Sequence, residues 1–309
     1  MPDAKPAYSA AASQLSTIRD FLRFALSSFR AAGIVHGHGA ASALDEAAFI
    51  ILEALKLPVD DINPWLDARL LDSEKHTLAE LIRRRIETRL PAAYLLGRTY
   101  MHGIPFFVDE RVIIPRSYIG ELLFSGLFGG GDAPLIADVR NVTSVLDLCT
   151  GSGCLAILVS GVFPEAEIDA VDLSPDALAV ARINVEDHGL SGRINLLEGD
   201  LFEPVEGRTY DLIIANPPYV RAEEVQAFPP EYGHEPVMAH LGGEDGLDIV
   251  RRLLADAADF LNPGGGLLCE VGTGRETLVA EFPQLDFLWL DTEEAEAEVF
   301  WITREDLET

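Results

Sequence analysis

The stretch Val145-Leu-Asp-Leu-Cys-Thr-Gly-Ser-Gly-Cys154 decides the fold. Its apolar start reads as a buried parallel strand, and its glycines as a turn that opens a helix. Gly151, Gly153 and Ala156 fit G-x-G-x-x-A, which dinucleotide-binding enzymes share, so the glycines alone leave the ligand open. Asp147 narrows the choice. A carboxylate at the end of this strand is unfavourable beside a pyrophosphate and favourable beside a ligand carrying an ammonium and a sulfonium. S-adenosyl-L-methionine is such a ligand; NAD is not. Cys149, Thr150, Gly151, Ser152, Gly153 and Cys154 are the turn residues expected to hold it.

Downstream, strands and helices alternate. Strands are expected at 142–149, 167–172, 194–198, 210–215, 266–271, 287–290 and 299–302, with helices at 175–188 and 245–261, the latter closed by Asn262-Pro263-Gly264. Alternation of this kind predicts an α/β, Rossmann-like, doubly wound sheet with ligands at the carboxyl ends of its strands. Asp172, followed by Leu173, ends the second strand about 20 residues beyond the glycine turn, the spacing at which an acidic residue reaches a ribose diol. Asp200, followed by Leu201, comes after the third strand and is placed to accept from an adenine amino group. Asp172 could instead cap the next helix, and Asp200 could simply end a strand.

Asp211-Leu-Ile-Ile-Ala-Asn-Pro-Pro-Tyr219 is a second buried strand with an unusual exit. Two prolines cannot continue a ladder, so the chain leaves the sheet in a fixed extended conformation. The exit suits a planar –NH2 group. Asn216 Oδ1 and the Pro217 carbonyl would accept its two protons, with Pro218 fixing the backbone and Tyr219 stacking on its plane. A proline turn with Asn as turn former and Tyr as filler is the competing reading.

The first ninety-odd residues differ in period. Residues 1–13 are rich in Ala, Ser and Pro and are expected to fray. Leu15, Ile18, Phe21, Leu22, Ala25 and Phe29 recur at helical spacing up to Gly33; Ser42 can cap a second helix, and Ser73 or Asp72 a third. His36 and His38 are expected in a solvated loop with no metal. Arg83-Arg84-Arg85 is expected on a solvated helix face, with an RNA or acidic-partner contact as the minor option. A β-ribbon is predicted over 99–107 and 108–114, with turns at Gly103 and Asp109-Glu110. A glycine-rich loop, Gly129-Gly130-Gly131, follows. The domain plan is a helical domain over 1–95, a ribbon linker over 96–117 and the α/β domain over 118–309.

Of 309 residues, 48% are hydrophobic and 24% charged, enough to bury a core. The net charge of −28, from 51 acidic and 23 basic residues, repels phosphate backbones and attracts cationic partners. Cys149, Cys154 and Cys269 sit in apolar contexts without zinc spacing, which points to reduced thiols in the cytoplasm. No signal pattern or membrane-length apolar run is present.

Asp147–Cys154 together with Asn216-Pro217-Pro218-Tyr219 resembles class I methyltransferases acting on planar nitrogen. Tyr94-Leu-Leu-Gly97, Phe106-Phe-Val-Asp109, Ile114-Pro115-Arg116, Glu235-Pro236-Val-Met-Ala239 and Gly242-Gly243-Glu-Asp-Gly-Leu-Asp248 are similar to the HemK/PrmB protein-(glutamine-N(5)) methyltransferases. The resemblance runs from about Arg83 to the C-terminus in specific motifs, and before that in architecture only. It implies a helical domain, a ribbon and a seven-stranded sheet whose last strand is antiparallel. It also implies S-adenosyl-L-methionine as methyl donor and a glutamine amide as acceptor. Release-factor enzymes of the family follow Pro-Arg with Pro-(Asp/Glu)-Thr-Glu; here Ser117-Tyr118-Ile119-Gly120-Glu121 follows Arg116. That looks like the PrmB branch, which implies a basic substrate, large-subunit ribosomal protein three, with a release factor as the alternative. Arg116 would contact substrate or pin the ribbon. Two other readings compete: a nucleic-acid amino methyltransferase, opposed by the net charge, and a non-catalytic assembly factor, opposed by the intact Asn216–Tyr219 exit.

Overall fold

A computed structural model describes residues 5–130, 134–293 and 295–309, and side chains from residue 8 onward. The chain divides into two compact units, Met1–Thr99 with Pro229–His234, and Tyr100–Phe228 with Glu235–Thr309. The first is helical: α1 (Lys5–Gln14), α2 (Ile18–Ala32), α3 (Ala43–Ala54), α4 (Asp72–Thr88) and α5 (Ala92–Leu96). Thr17 and Asp20 form a capping box at the start of α2, and Gly33, at φ 59°, ends it in the left-handed region. Ser42 caps α3 by accepting from the Asp45 amide. Neither Ser73 nor Asp72 caps α4. Its helical turns begin at Asp72, and the Glu74 carboxylate reaches back to the Leu71 amide at 2.7 Å. Residues expected to fray are helical from Lys5 onward, since alanine-rich segments propagate well and Ala12 packs into the core with Phe21, Phe29, Ile50 and Ile82. Residues 1–4 lie outside the described residues.

The second unit opens on a ribbon of β1 (Thr99–Met101) and β2 (Ile104–Phe106), turned by His102 and Gly103, both at positive φ. The expected second arm, 108–114, is not a strand. Phe107 exchanges its amide and carbonyl hydrogen bonds with the side chain of Asn184 (2.7 and 3.0 Å), and Asp109 folds back onto the Arg111 amide and guanidinium. Val108, Val112 and Ile114 are therefore buried without a ladder partner. Then come α6 (Tyr118–Phe124), β3 (Ser144–Leu148), α7 (Cys154–Val162), β4 (Glu167–Asp172), α8 (Pro175–Asp187), β5 (Ile194–Glu198), β6 (Tyr210–Ala215), α9 (Ala222–Gln226), α10 (Asp248–Phe260), β7 (Leu261–Glu270), α11 (Arg275–Glu281), β8 (Leu288–Leu290), β9 (Val299–Thr303) and α12 (Arg304–Leu307). Gly131 lies outside the described residues.

Strands β3 to β9 form the seven-stranded sheet β5-β4-β3-β6-β7-β9-β8. The first five in that order are parallel, and β9, the last strand in the chain, is antiparallel to both β7 and β8. This is the expected doubly wound architecture. Side chains alternate between two apolar layers, Val145, Leu212, Ile214 and Leu268 on one face and Leu146, Leu148, Ile213 and Leu267 on the other. The strand order reverses between β3 and β6, and such a switch point opens a crevice at the carboxyl ends. Helix α10 is shorter than expected at both ends. The Asp245 carboxylate accepts the Leu247 amide and pairs with Arg251, delaying the helix to Asp248. Asn262-Pro263-Gly264 belongs to the irregular start of β7, where Asn262 donates to Asp211 at 2.7 Å.

Of the basic run, Arg84 is exposed as expected and Arg85 turns inward, as does the histidine loop. Arg83 pairs along its own helix with Glu80 and Glu87, whereas Arg85 is 1% exposed, with Nε 2.5 Å from the equally buried Glu46. Its other nitrogens donate to the carbonyls of Arg89 and Val35. His36 contacts Glu46 rather than solvent, and His38 is buried with its ring 4.2 Å from that of Tyr232. Glu231, from the 229–234 segment, takes Arg89 at 2.9 Å and the Val35 amide at 3.0 Å. Removing one partner of a buried ion pair strands the other. Arg85→Leu should therefore lower the stability of the helical unit by about 3–5 kcal/mol, and Glu46→Leu added to it should recover much of the loss. Urea denaturation followed by helical circular dichroism measures both, and an Arg85→Leu variant as stable as its parent would refute the pairing.

Candidate functional site

The glycine turn after β3 is built from beneath. Cys149, Gly151 and Gly153 all take positive φ, at 60°, 56° and 77°. A Cβ at Gly153 would stand 3.3 Å from that of Ala181. Asp147, expected to face a ligand's ammonium, does not line the cleft. It is fully buried, and its Oδ2 accepts the Thr150 hydroxyl at 2.6 Å and the Ala156 amide at 3.1 Å. It thus ties the turn to the first turn of α7. Its Oδ1 has no protein donor among the described residues. Burial pushes its pKa up to about 7 against those two hydrogen bonds. Thr150, Ser152, Gly153 and Cys154 likewise shape the turn without lining the cleft; Asn184, unforeseen in the sequence, holds the Ser152 carbonyl at 2.9 Å.

The cleft, about 320 Å³, opens over the ends of β3, β4 and β6 and is lined by Cys149, Gly151, Asp172, Leu173, Asp200, Leu201, Asn216 and Pro218. Sequence reasoning had nominated all of these for the site. Asp172 accepts the Gly151 amide at 2.8 Å and the Ser174 amide at 2.9 Å, so it braces the turn as well as facing the cleft. Ser174, not Asp172, caps α8. Burial raises the pKa of Asp172, partly offset by those amide donors. Asp200 is paired at 2.9 Å with Arg252 of α10, which no sequence signal marked.

On the other side of the cleft, β6 ends at Ala215 and releases Asn216. Its Nδ2 donates to the Arg116 carbonyl at 3.3 Å, and the residue lines the cleft. Pro217 is buried. Tyr219 is tethered through its hydroxyl to Glu270 at 2.8 Å, and a Cβ at Gly272 would come within 2.8 Å of its ring. Arg116 takes the pinning role. Its guanidinium grips the buried Glu235 through two 2.8 Å bonds, and the same carboxylate accepts the Ile114 amide at 3.0 Å. His240 Nε2 lies 3.1 Å from Glu235. The 236–241 segment closes the cleft with Pro236, Met238, Ala239 and Leu241, and is strapped to the exit from β6 by Val220 N–H to His240 O (2.8 Å) and Gly242 N–H to Val220 O (2.9 Å). A Cβ on Gly242 would fall 2.7 Å from the Pro218 carbonyl oxygen, which only glycine avoids. Glu235 stood out in the sequence only as part of a motif, and Met238 and Leu241 carried no periodic signal at all.

A family model described as "Methyltransferase small domain" matches residues 131–228. Curated relatives extend over nearly the whole chain. A ribosomal protein uL3 glutamine methyltransferase of Bradyrhizobium diazoefficiens is 53% identical, covering 96% of this chain and 93% of that protein. One of Neisseria meningitidis serogroup B is 53% identical over 97% of both, and one of Bordetella pertussis 48% identical over 96% and 98%. Among solved structures, a methyltransferase of Pyrococcus furiosus aligns with a TM-score of 0.48 and 16% identity, covering 66% of this chain and 90% of that one.

The buried Asp147 gives a pH signature. Its folded pKa, about 7, lies above the ordinary aspartate value, so the folded state holds a proton that the unfolded state releases. The stability this supplies is present below about pH 4 and lost as pH rises towards about 7. Asp147→Asn mimics the protonated form at every pH. Relative to its parent, the ligand-free variant should gain a few kcal/mol between about pH 5 and about pH 8. Parallel denaturation curves test this, and a difference independent of pH would show that Asp147 is ionised throughout.

Proposed function

The chain belongs to the family of ribosomal protein uL3 glutamine methyltransferases, and on that premise we propose that it methylates the side-chain amide nitrogen of a glutamine in ribosomal protein uL3, with S-adenosyl-L-methionine as donor. The donor supplies an electrophilic methyl group on a sulfonium when bound. The residues present fit such a ligand. Asp172 reaches the cleft with lone pairs to spare for ribose hydroxyls, Asp200 is placed for the adenine amino group, and Leu173, Leu201, Met238 and Leu241 give apolar walls.

The observation that carries the reading is the fixed amide of Asn216. The bond from its –NH2 to the Arg116 carbonyl fixes the plane of the Asn216 amide, and an amide oxygen next to a proline carbonyl suits the two N–H groups of a primary amide. A glutamine amide is a poor nucleophile because its lone pair is delocalised into its carbonyl. Holding both N–H protons in the plane of Asn216 Oδ1 and the Pro217 carbonyl orients the face of the nitrogen for in-line displacement. Positioning of this kind can supply about 7–11 kcal/mol. The nitrogen loses its proton after the methyl arrives, so no general base is assigned. The net charge of −28 suits a cationic protein acceptor and opposes a nucleic-acid one. The near full-length relatives favour uL3 over a release factor.

Mass spectrometry of uL3 incubated with enzyme and donor tests the reaction, with a Gln→Asn series in uL3 to locate the site. Asn216→Ala should fold and bind donor near normally, because the cleft's other walls remain. Its single-turnover rate should fall by about 10²-fold or more, as for a misplaced acceptor. If Asn216 were only a turn former, the prolines would keep the backbone and most of the rate would survive.

A further inference from the structure

Glu270, the last residue of β7, belongs to none of the groups assigned so far. It is 1% exposed, and it spends both carboxylate oxygens on the acceptor side of the cleft. Oε1 accepts the Tyr219 hydroxyl at 2.8 Å. Oε2 accepts the Ser117 hydroxyl at 2.6 Å and the Tyr118 amide at 3.0 Å. These partners flank Asn216 in two ways. Tyr219 lies three residues beyond it on the same exit. Ser117 follows Arg116, whose carbonyl receives the Asn216 amide. One carboxylate therefore holds both Tyr219 and the residues that follow the carbonyl engaging Asn216.

From this juxtaposition we infer that Glu270 is a positioning residue for the methyl acceptor, locking Tyr219 and the Arg116–Tyr118 backbone into one rigid frame around Asn216. The inference rests on the glutamine-methylation reading. The hydrogen bond fixes the tip of the phenol, and Gly272 packs so close to its ring that a Cβ there would stand 2.8 Å from it. The Arg116 carbonyl cannot rotate, because Glu235 clamps the guanidinium before it and Glu270 clamps the serine after it. Bonds to a buried carboxylate are short, charge-assisted and costly to leave unmade. A neutral Gln at this place keeps Ser117 and the Tyr118 amide on its oxygen only by turning its –NH2 towards Tyr219, whose hydroxyl must then reverse to accept, and the charge-assisted bonds are lost without loss of volume.

The test is kinetic. Glu270→Gln, Tyr219→Phe and the double variant are compared for donor affinity by calorimetry, melting temperature, and kcat and KM with uL3 as acceptor. Each single variant should lose about 10²-fold in kcat at unchanged donor affinity, and the double variant should be no worse than the poorer single one, because both break the same frame. Losses that multiply, or a kcat per folded molecule within about threefold of the parent, would overturn the inference while leaving the reaction itself intact. Should Glu270→Gln fail to fold, Ser117→Ala with Tyr219→Phe serves instead. Each removes one donor to the same carboxylate, and their coupled loss supports the frame where independent losses reject it. A parent enzyme that transfers no methyl group to uL3 glutamine overturns both this inference and the function it rests on.

Discussion

The register between β3 and β6 is the constraint on which the site depends. Leu148 stands opposite Ala215, in a parallel ladder that also pairs Val145 with Leu212. Both strands therefore end at the same level, and the next residues on each, Cys149 and Asn216, leave the sheet side by side. Because successive side chains alternate faces, a one-residue slip would send Leu212 and Ile214 into the wrong layer. The apolar layers on both faces of the sheet thus enforce the register that sets the glycine turn beside the proline exit. The chain crosses from one half of the sheet to the other between these two strands, so neither turn is covered by a connecting helix.

What the register brings together still has to be held in shape, and buried acids do much of that. Asp147 braces the glycine turn from below, Asp172 holds the same turn from the side, Glu235 pins the 114–116 linker, and Glu270 pins Tyr219 and Ser117. Each accepts at least one backbone amide or hydroxyl that would otherwise be unpaired away from water. A carboxylate can accept several donors at once, which a neutral amide cannot. The cost appears as desolvation: burial raises the pKa of Asp147, Asp172 and Glu270 alike. Glu235 is also paired with a cation, the Arg116 guanidinium at 2.8 Å.

Local patterns made much of this legible. The strand–glycine–helix passage, the double proline, Ser42 and Gly33 each specify their own backbone, so reading them needed no tertiary knowledge. Val108, Val112 and Ile114 misled for the opposite reason. They repeat at even spacing and are buried, but the bonds that hold this stretch come from Asn184, 77 residues from Phe107, and Glu235, 121 residues from Ile114. Arg85 read as a surface charge because its partner, Glu46, lies 39 residues earlier on another helix. Glu270 was within reach of the reasoning applied to Asp172, since both end parallel strands at the same edge of the sheet. The glycine turn drew attention to one half of the sheet, and the acid on the other half went unread.

The placement of these acids also bears on the choice of acceptor. Five carboxylates, Asp147, Asp172, Asp200, Glu235 and Glu270, lie in or just under the walls of one cleft, on a chain whose net charge is −28. Two of them, Asp172 and Asp200, face the cleft itself, and of these only Asp200 has a cationic partner among the described contacts, Arg252. The arginines of this unit near the cleft are already paired, Arg111 with Asp109, Arg116 with Glu235 and Arg252 with Asp200. A cationic donor and an uncharged amide on a basic protein meet this negative charge favourably. The acids that hold the turn and the exit in shape thus also set the sign of the charge around the cleft.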